Sequence, residues 1–251
     1  HTLDLESDLR RAITRQEFEP HLQPIVSLVD GQVLGYEALL RWRHAKRGLL
    51  RPADFLTVAE ESGNVEQIDW QLYEQVCSAI SKLHDPDAYV SINVSARHFR
   101  SPKLVHNLLG LLDAHHVPTR RVRIEITEGV LLADPEQARA TMLELRASGV
   151  LTILDDFGTG YSSLSYLHRF PLHALKIDRS FVAELNADLS GSCAAVIRAI
   201  RALAGSLGME VIAEGIETPV QCEALLRLEC MIGQGFLFDQ PRPVPELIYA
   251  S

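Results

Sequence analysis

Leu22-Gln23-Pro24-Ile25-Val26-Ser27-Leu28-Val29-Asp30-Gly31-Gln32-Val33-Leu34-Gly35-Tyr36-Glu37 holds two apolar runs split by an Asp-Gly pair. Asp-Gly is a tight-turn dipeptide that favours a hairpin, whereas a parallel crossover needs a dozen or more residues. The two strands read here, 22–29 and 32–37, must therefore run antiparallel. Six further short apolar runs follow, near 89–94, 121–126, 150–155, 174–177, 209–213 and 231–236. Helical patterns over 52–60, 65–83, 101–115, 135–148, 162–168, 190–207 and 218–228 fall between most of them. Such alternation is the mark of repeated β-α units on a mostly parallel sheet. Eight strands in 251 residues fit one closed barrel, for which about 250 residues is the usual length. The expected fold is α/β, a variant TIM-type (β/α)8 barrel with the first strand antiparallel.

Working outward, no internal repeat, low-complexity tract or linker interrupts the chain, so residues 1–251 are expected to form a single barrel domain. Pro241, Pro243 and Pro245 mark its end and lead into a short terminal helix. The start at His1 without a Met predicts a piece excised from a longer multidomain protein. Hydrophobic residues make up 47% of the chain, enough for one buried core, and the net charge is −9. An acidic chain lacks the basic face that DNA or RNA polymers need. No apolar stretch reaches the roughly 20 residues of a membrane span, and no signal-peptide pattern opens the chain. The domain is expected in the cytoplasm without membrane contact of its own, whatever anchors the parent protein. Cys77, Cys193, Cys222 and Cys230 form no C-x-x-C pair and read as reduced, buried small hydrophobes, not zinc ligands.

The chemistry lies at strand ends. Asp155-Asp156 closes the run Val150-Leu151-Thr152-Ile153-Leu154 and opens onto Phe157-Gly158-Thr159-Gly160-Tyr161-Ser162-Ser163. Adjacent carboxylates repel, and the usual compensation is a basic side chain or a divalent metal. Glu37, Asn93, Glu125, Lys176 and Glu214 stand at comparable positions. Side chains alternate across a strand, so Asn93, Glu125 and Lys176, flanked by apolar neighbours, are expected to point at the barrel axis. Their late positions put them at the C-terminal rim, where barrel enzymes build active sites. Lys176 and Asp178 share a face, Glu217 follows Glu214 in one loop, and Gln234 lies between Gly233 and Gly235. Oxygen ligands and one lysine on successive strands read as a hard-metal hydrolytic site. Elsewhere the readings are structural. Trp42 and Trp70 pack, Asp54 and Glu60 belong to a helix, and the histidines, including His115-His116, show no ligand spacing. Gly158-Thr159-Gly160 lacks the full spacing of a dinucleotide cradle.

Taken in order, Gln23-Pro24-Ile25, Glu37-Ala38-Leu39-Leu40-Arg41, Ala59-Glu60-Glu61-Ser62-Gly63, Ile92-Asn93-Val94-Ser95 and Glu125-Ile126-Thr127-Glu128 carry a resemblance. Asp155 through Leu164, Leu175 through Phe181, Ala213 through Thr218 and Gln234-Gly235 complete it. Over nearly its whole length the chain resembles the EAL domain, the bacterial phosphodiesterase of cyclic di-GMP. That resemblance implies hydrolysis of cyclic di-GMP to linear pGpG by a water activated between two metals. It implies that Glu37, Asn93, Glu125 and Asp155 hold one Mg²⁺ or Mn²⁺, and that Asp155, Asp156 and Glu214 hold a second, with Asp155 bridging. Two such ions about 3.5–4 Å apart suit an in-line displacement, and Ca²⁺, with longer and looser coordination, is expected to inhibit. Lys176 is placed near the attacking water, with Glu37, Glu217 and Gln234 in the catalytic set. Gln23, Arg41 and Asp178 are implied to contact the nucleotide, Arg41 through a phosphate. Glu128 is implied to tether the loop from Phe157 to Ser163, which couples metal occupancy to contacts within a homodimer.

The chain departs from the family pattern at Asn64, Ala45, His98 and the pair Asp239-Gln240, none of them an implied metal ligand. Two other readings exist. One is a receptor that binds the nucleotide without turnover, but such members lose metal ligands or the lysine, which this chain keeps. The other is a proton-abstracting barrel of the enolase kind with Lys176 as base, for which no segment supplies the capping domain.

Overall fold

The computed structural model describes residues 2–158 and 164–249. It opens with a helix, α1 (Thr2–Arg15), that the sequence reading did not place. Leu5, Leu9 and Ala12 bury its inner face at helical spacing. The hairpin follows as β1 (Phe18–Ser27) and β2 (Val33–His44), antiparallel as expected. Its turn is longer than the Asp-Gly dipeptide. Leu28 through Gln32 make the connection, Ser27 N–H donates to Gln32 O at 2.9 Å, and Gly31 takes the left-handed φ of 74°.

The chain then adds a short strand β3 (Gly48–Leu50), a 3₁₀ turn (Pro52–Asp54), α2 (Leu56–Glu61) and α3 (Val65–Ile80). The single helix expected over 52–60 is thus two pieces. Next come β4 (Tyr89–Asn93), α4 (Ala96–Phe99), α5 (Leu104–Ala114), β5 (Val122–Thr127), α6 (Glu128–Ala133), α7 (Pro135–Ala147) and β6 (Leu151–Phe157). A 3₁₀ segment (Leu164–Arg169) stands where 162–168 was expected to be helical, and the first residues of that expectation lie outside the described residues. The remainder is β7 (Ala174–Ile177), α8 (Arg179–Ala183), α9 (Ser192–Ser206), β8 (Glu210–Ala213), α10 (Pro219–Arg227), β9 (Ile232–Gly233), β10 (Arg242–Pro243) and α11 (Val244–Tyr249).

Strand order β1-β9-β8-β7-β6-β5-β4-β2 closes on itself through the β1–β2 pairing, giving a closed eight-stranded barrel. From β2 through β4 to β9 the neighbours are parallel, and β1 alone runs antiparallel to both its neighbours. The expected variant TIM-type barrel is therefore the observed one. β3 and β10 pair antiparallel on β2 and β1 outside the ring.

The main core lies between barrel and helices, and a second, small core fills the lumen: Ile25, Tyr89, Ile153, Ala174 and Ile212, with Leu34 and Ile232 against it. Side chains on one face recur every second residue. Ile25, Ile153, Ala174, Ile212 and Ile232 therefore sit one step below Gln23, Asp155, Lys176, Glu214 and Gln234. The strand period that buries the apolar layer lifts the polar layer to the rim. Gly35, one step below Glu37, has no side chain because a Cβ there would lie 2.7 Å from the Tyr89 ring.

Half of the cysteine expectation holds. All four are free, Cys77 and Cys230 are buried, but Cys193 and Cys222 are only partly covered.

Candidate active site

Lys176 is fully buried at the end of β7, and its Nζ meets four carboxylates. Glu214 Oε1 lies at 2.6 Å, Glu125 Oε2 at 2.8 Å, Glu37 Oε2 at 2.9 Å and Asp155 Oδ1 at 3.6 Å. The acids fall into two groups, each able to converge on one ion: Glu37, Glu125 and Asp155, and Asp155, Asp156 and Glu214. Asp155 belongs to both.

Adjacent residues on a regular strand face opposite ways, so Asp155 and Asp156 should not reach one site. The ladder between β6 and β7 slips between Leu154 and Phe157, and Asp156 takes a left-handed φ of 54°. Asp tolerates that conformation better than most residues. The slip turns both carboxylates to the rim, and Asp156 N–H donates to Asp155 Oδ1 at 2.9 Å.

Neutral groups fix the acids. Asn93 Nδ2 donates to Glu37 Oε1 at 3.0 Å, and Gln234 Nε2 to Glu37 Oε2 at 2.6 Å and to Gln23 Oε1 at 3.3 Å. Gln234 Oε1 is buried and has no partner among the described residues. Ser91, fully buried, donates to Glu125 Oε1. The sequence reading missed Ser91, although it lies two residues before Asn93 on the same face.

One ammonium cannot neutralise five carboxylates. Burial pulls Lys176 down, but Glu125, Glu214, Glu37 and Asp155 outweigh it and hold the lysine well above its ordinary value. Burial also pushes Glu37 up, yet the Lys176 charge and three side-chain hydrogen-bond donors keep it below the usual range. The other acids rise. Burial, with the charge of Glu37, drives Glu125 well above its ordinary value, and burial raises Asp155 despite Lys176. Burial and Asp155 push Asp156 up to about 6, and burial pushes Glu214 up to about 8. An all-oxygen donor set that gathers protons for want of positive charge suits hard divalent cations such as Mg²⁺. The site residues therefore fit the metals expected of them.

A cleft of about 410 Å³ opens beside the acids, with Glu37, Asn93, Asp155 and Asp156 on one side and Leu40, Pro52 and Asp69 among the others. Glu60, assigned to a helix, does lie on α2 but also lines this cleft. Asp54, read with it, lies instead in the 3₁₀ turn. Arg41 is half-buried, its Nη1 donating to Leu40 O at 2.8 Å. Gln23 is buried in the polar layer and also donates to Asp239 O at 3.3 Å. Asp178 stands off the cluster as the N-cap of α8, accepting from Ser180 N at 2.9 Å. Glu217 is exposed and outside both acid groups, its backbone N–H bonded to Gln221. Glu128 Oε1 accepts from Gly158 N at 3.4 Å, and residues 159–163 of the loop it was expected to tether lie outside the described residues. Trp42 is packing, as read, enclosed by Phe18, Phe55 and His44.

The helix read over 65–83 is α3, but its contact with the segment after β4, at the wall of the cleft, went unread. Asp69 and Tyr73 of α3 meet Ser95 and His98 of the segment after β4. Asp69 and His98 are 29 residues apart, and no local spacing announces their contact.

The model of the EAL domain family matches residues 6–241. The chain is 39% identical over 249 residues to a Pseudomonas aeruginosa protein named bifunctional diguanylate cyclase/cyclic di-GMP phosphodiesterase MucR, covering 98% of this chain and 36% of that one. It is 38% identical to the cyclic di-GMP phosphodiesterase NbdA of the same organism, covering 98% and 31%. The chain thus spans about a third of the length of these curated relatives. Among solved structures, a MucR phosphodiesterase in complex with c-di-GMP superposes with a TM-score of 0.90 at 39% identity, covering 97% of this chain and 99% of that one. A calcium and cyclic di-GMP complex of Klebsiella pneumoniae BlrP1 gives 0.80 at 28% identity, covering 92% and 57%. By fold, by the matched span and by identity to named members, this chain belongs to the EAL domain family.

Proposed function

We propose that this domain, as one module of a longer cytoplasmic protein, is a hydrolase that opens one phosphodiester of cyclic di-GMP to give linear pGpG. The observation that carries the reading is the pair of acid groups sharing Asp155 around the buried Lys176. Glu37, Asn93, Glu125 and Asp155 would hold one Mg²⁺ or Mn²⁺, and Asp155, Asp156 and Glu214 the other. When bound, the two cations lower the pKa of an attacking water and neutralise charge on the leaving oxygen.

The chain's own groups have distinct parts. Lys176, cationic and pinned among carboxylates, orients the attacking water and stabilises negative charge that grows in the transition state. Gln234 and Asn93 hold the Glu37 carboxylate still from both sides. Arg41, Gln23 and Asp178 contact the nucleotide, with Arg41 on a phosphate and Asp178 reaching it from the N-cap of α8. Glu217 completes the catalytic set from the loop after β8. Glu128 tethers the loop that begins at Phe157 and links the site to a homodimer contact. Relatives named as cyclic di-GMP phosphodiesterases, and a relative's complex with c-di-GMP, support the substrate.

Chromatography of cyclic di-GMP incubated with the protein and Mn²⁺, with and without chelator, tests the reading. Linear pGpG that appears only without chelator is expected. Tight binding of the nucleotide with no product at any Mn²⁺ or Mg²⁺ concentration would make the domain a receptor instead.

A further inference from the structure

We infer that His98 and Asp69 are positioning residues that brace Asn93 for cation binding, acting through Tyr73 and Ser95. The inference rests on the proposed role of Asn93 as a metal ligand.

Asp69 and Tyr73 stand one turn apart on α3 and so present neighbouring side chains to the end of β4. Tyr73 O–H donates to the backbone carbonyl of Asn93 at 3.1 Å. Ser95 Oγ donates to Asp69 Oδ2 at 3.2 Å and accepts from His98 N–H at 3.3 Å. His98, 1% exposed, closes the circuit: its Nδ1 donates to the same Asp69 oxygen at 3.0 Å. Its ring lies parallel to Tyr73, 8° apart with centroids 5.6 Å apart, and edge-on to Trp70 at 4.9 Å. On the far side, Val94 N–H donates to Glu125 O at 3.0 Å. Residues 93–95 are thereby pinned from α3, from α4 and from β5.

The force behind the brace is the burial of Asp69. A carboxylate with this little water needs donors, and both side-chain donors come from the segment that carries Asn93. Satisfying Asp69 therefore fixes the segment. Neither Asp69 nor His98 touches the acid groups, so their influence passes through Tyr73 and the backbone. A ring at 98 does two jobs, donating to Asp69 and stacking on Tyr73, so that Tyr73 O–H stays aimed at the Asn93 carbonyl. Groups that orient metal ligands in this way commonly change affinity by about 10- to 100-fold when removed.

Calorimetric titration of Mn²⁺ into the metal-free protein, without nucleotide, reads the brace directly. Tyr73→Phe removes only the hydroxyl and should weaken Mn²⁺ binding about tenfold, as should His98→Ala, while His98→Gln, which keeps a donor for Asp69 but not the ring on Tyr73, should weaken it about threefold less than His98→Ala does. Unchanged Mn²⁺ affinity in Tyr73→Phe and His98→Ala, with only the melting temperature lowered, would overturn the brace. A wild type that takes up no Mn²⁺ would remove the metal reading by itself. The brace then stands or falls on exchange of the Val94 amide, which should be protected in wild type and Tyr73→Phe-sensitive; equal protection in both would end it.

Discussion

The two ends of the barrel lumen handle charge in opposite ways. At the lower end the Arg123 guanidinium lies 3.6 Å above the Tyr89 ring and 3.5 Å from Glu210, which also meets His173 at 3.1 Å. Cation and anion are matched there, and the neighbouring His173 and Arg123 hold the Glu210 carboxyl below its usual range. At the upper end, farther along the barrel strands, one lysine faces five carboxylates. A protein can pair its charges when balance is all it needs, as Arg123 and the exposed Glu210 do at the lower end. The surplus at the rim is the part left for something else to complete.

Substitutions should separate the two ends. The largest effect is expected from Asp155→Ala, which strips the acid shared by both groups, and next from Glu37→Ala. Each should lower hydrolysis of cyclic di-GMP by several orders of magnitude at saturating Mg²⁺ if these acids hold the proposed cations. A variant that kept more than about a tenth of the wild-type rate would refute that residue's place in the site.

Lys176→Ala probes the one internal cation. It should cut kcat strongly while leaving nucleotide affinity, titrated in Ca²⁺, within about tenfold, or roughly 1.4 kcal/mol. Loss of binding in a folded variant would make Lys176 an organiser of the cleft and not a participant in the chemistry.

At the lower end, Gly35→Ala forces a methyl against the Tyr89 ring. It should cost about 1–3 kcal/mol in denaturant unfolding, the usual range for overpacking, and leave Mn²⁺ affinity as in wild type. A change in Mn²⁺ affinity would show that the two layers are coupled.

The smallest effect is in pH. Asp156 and Glu214 have raised values in the folded chain, so the fold holds protons that the unfolded chain has released. Their contribution to stability is present in acid. It is lost as pH climbs from the ordinary carboxylate range through about 6 for Asp156 and about 8 for Glu214. The chelator-treated domain should melt at a lower temperature at pH 8.5 than at pH 5.5, and Mn²⁺ should restore more at the higher pH, since cations replace protons. Equal melting temperatures across that range would mean the acids are balanced without metal.

Much of this contrast was readable in the sequence. Asp30-Gly31 announced the antiparallel hairpin, though not its five-residue turn, because hydrogen bonds from Ser27 and Gly31 set that length. The rim acids could be read because a strand has a fixed period of two. Asp156 is the exception: its reach into the site depends on a slipped ladder that no spacing encodes. The helix α1 escaped although Leu5, Leu9 and Ala12 repeat at helical intervals, since polar residues dominate the segment. Residues 234–236 read as strand but leave the ladder, because Gly235 sits so close to Ile216 that a Cβ would meet its backbone at 2.1 Å. The Asp69–His98 contact joins separate elements and could only be seen folded.

The closure of β1 on β9 sets the order in which this molecule can assemble. Val26 pairs with Gly233, and the hydrogen bond from Gln234 to Glu37 spans 197 residues. Contacts so distant in sequence form late and slowly. During synthesis the hairpin emerges ahead of the other barrel strands and waits, one edge of β1 unpaired, until β9 has left the ribosome. An open strand edge invites pairing with other chains. Truncation anywhere before residue 232 should therefore yield aggregate instead of a smaller barrel, and the site should be the last part of the molecule to become complete.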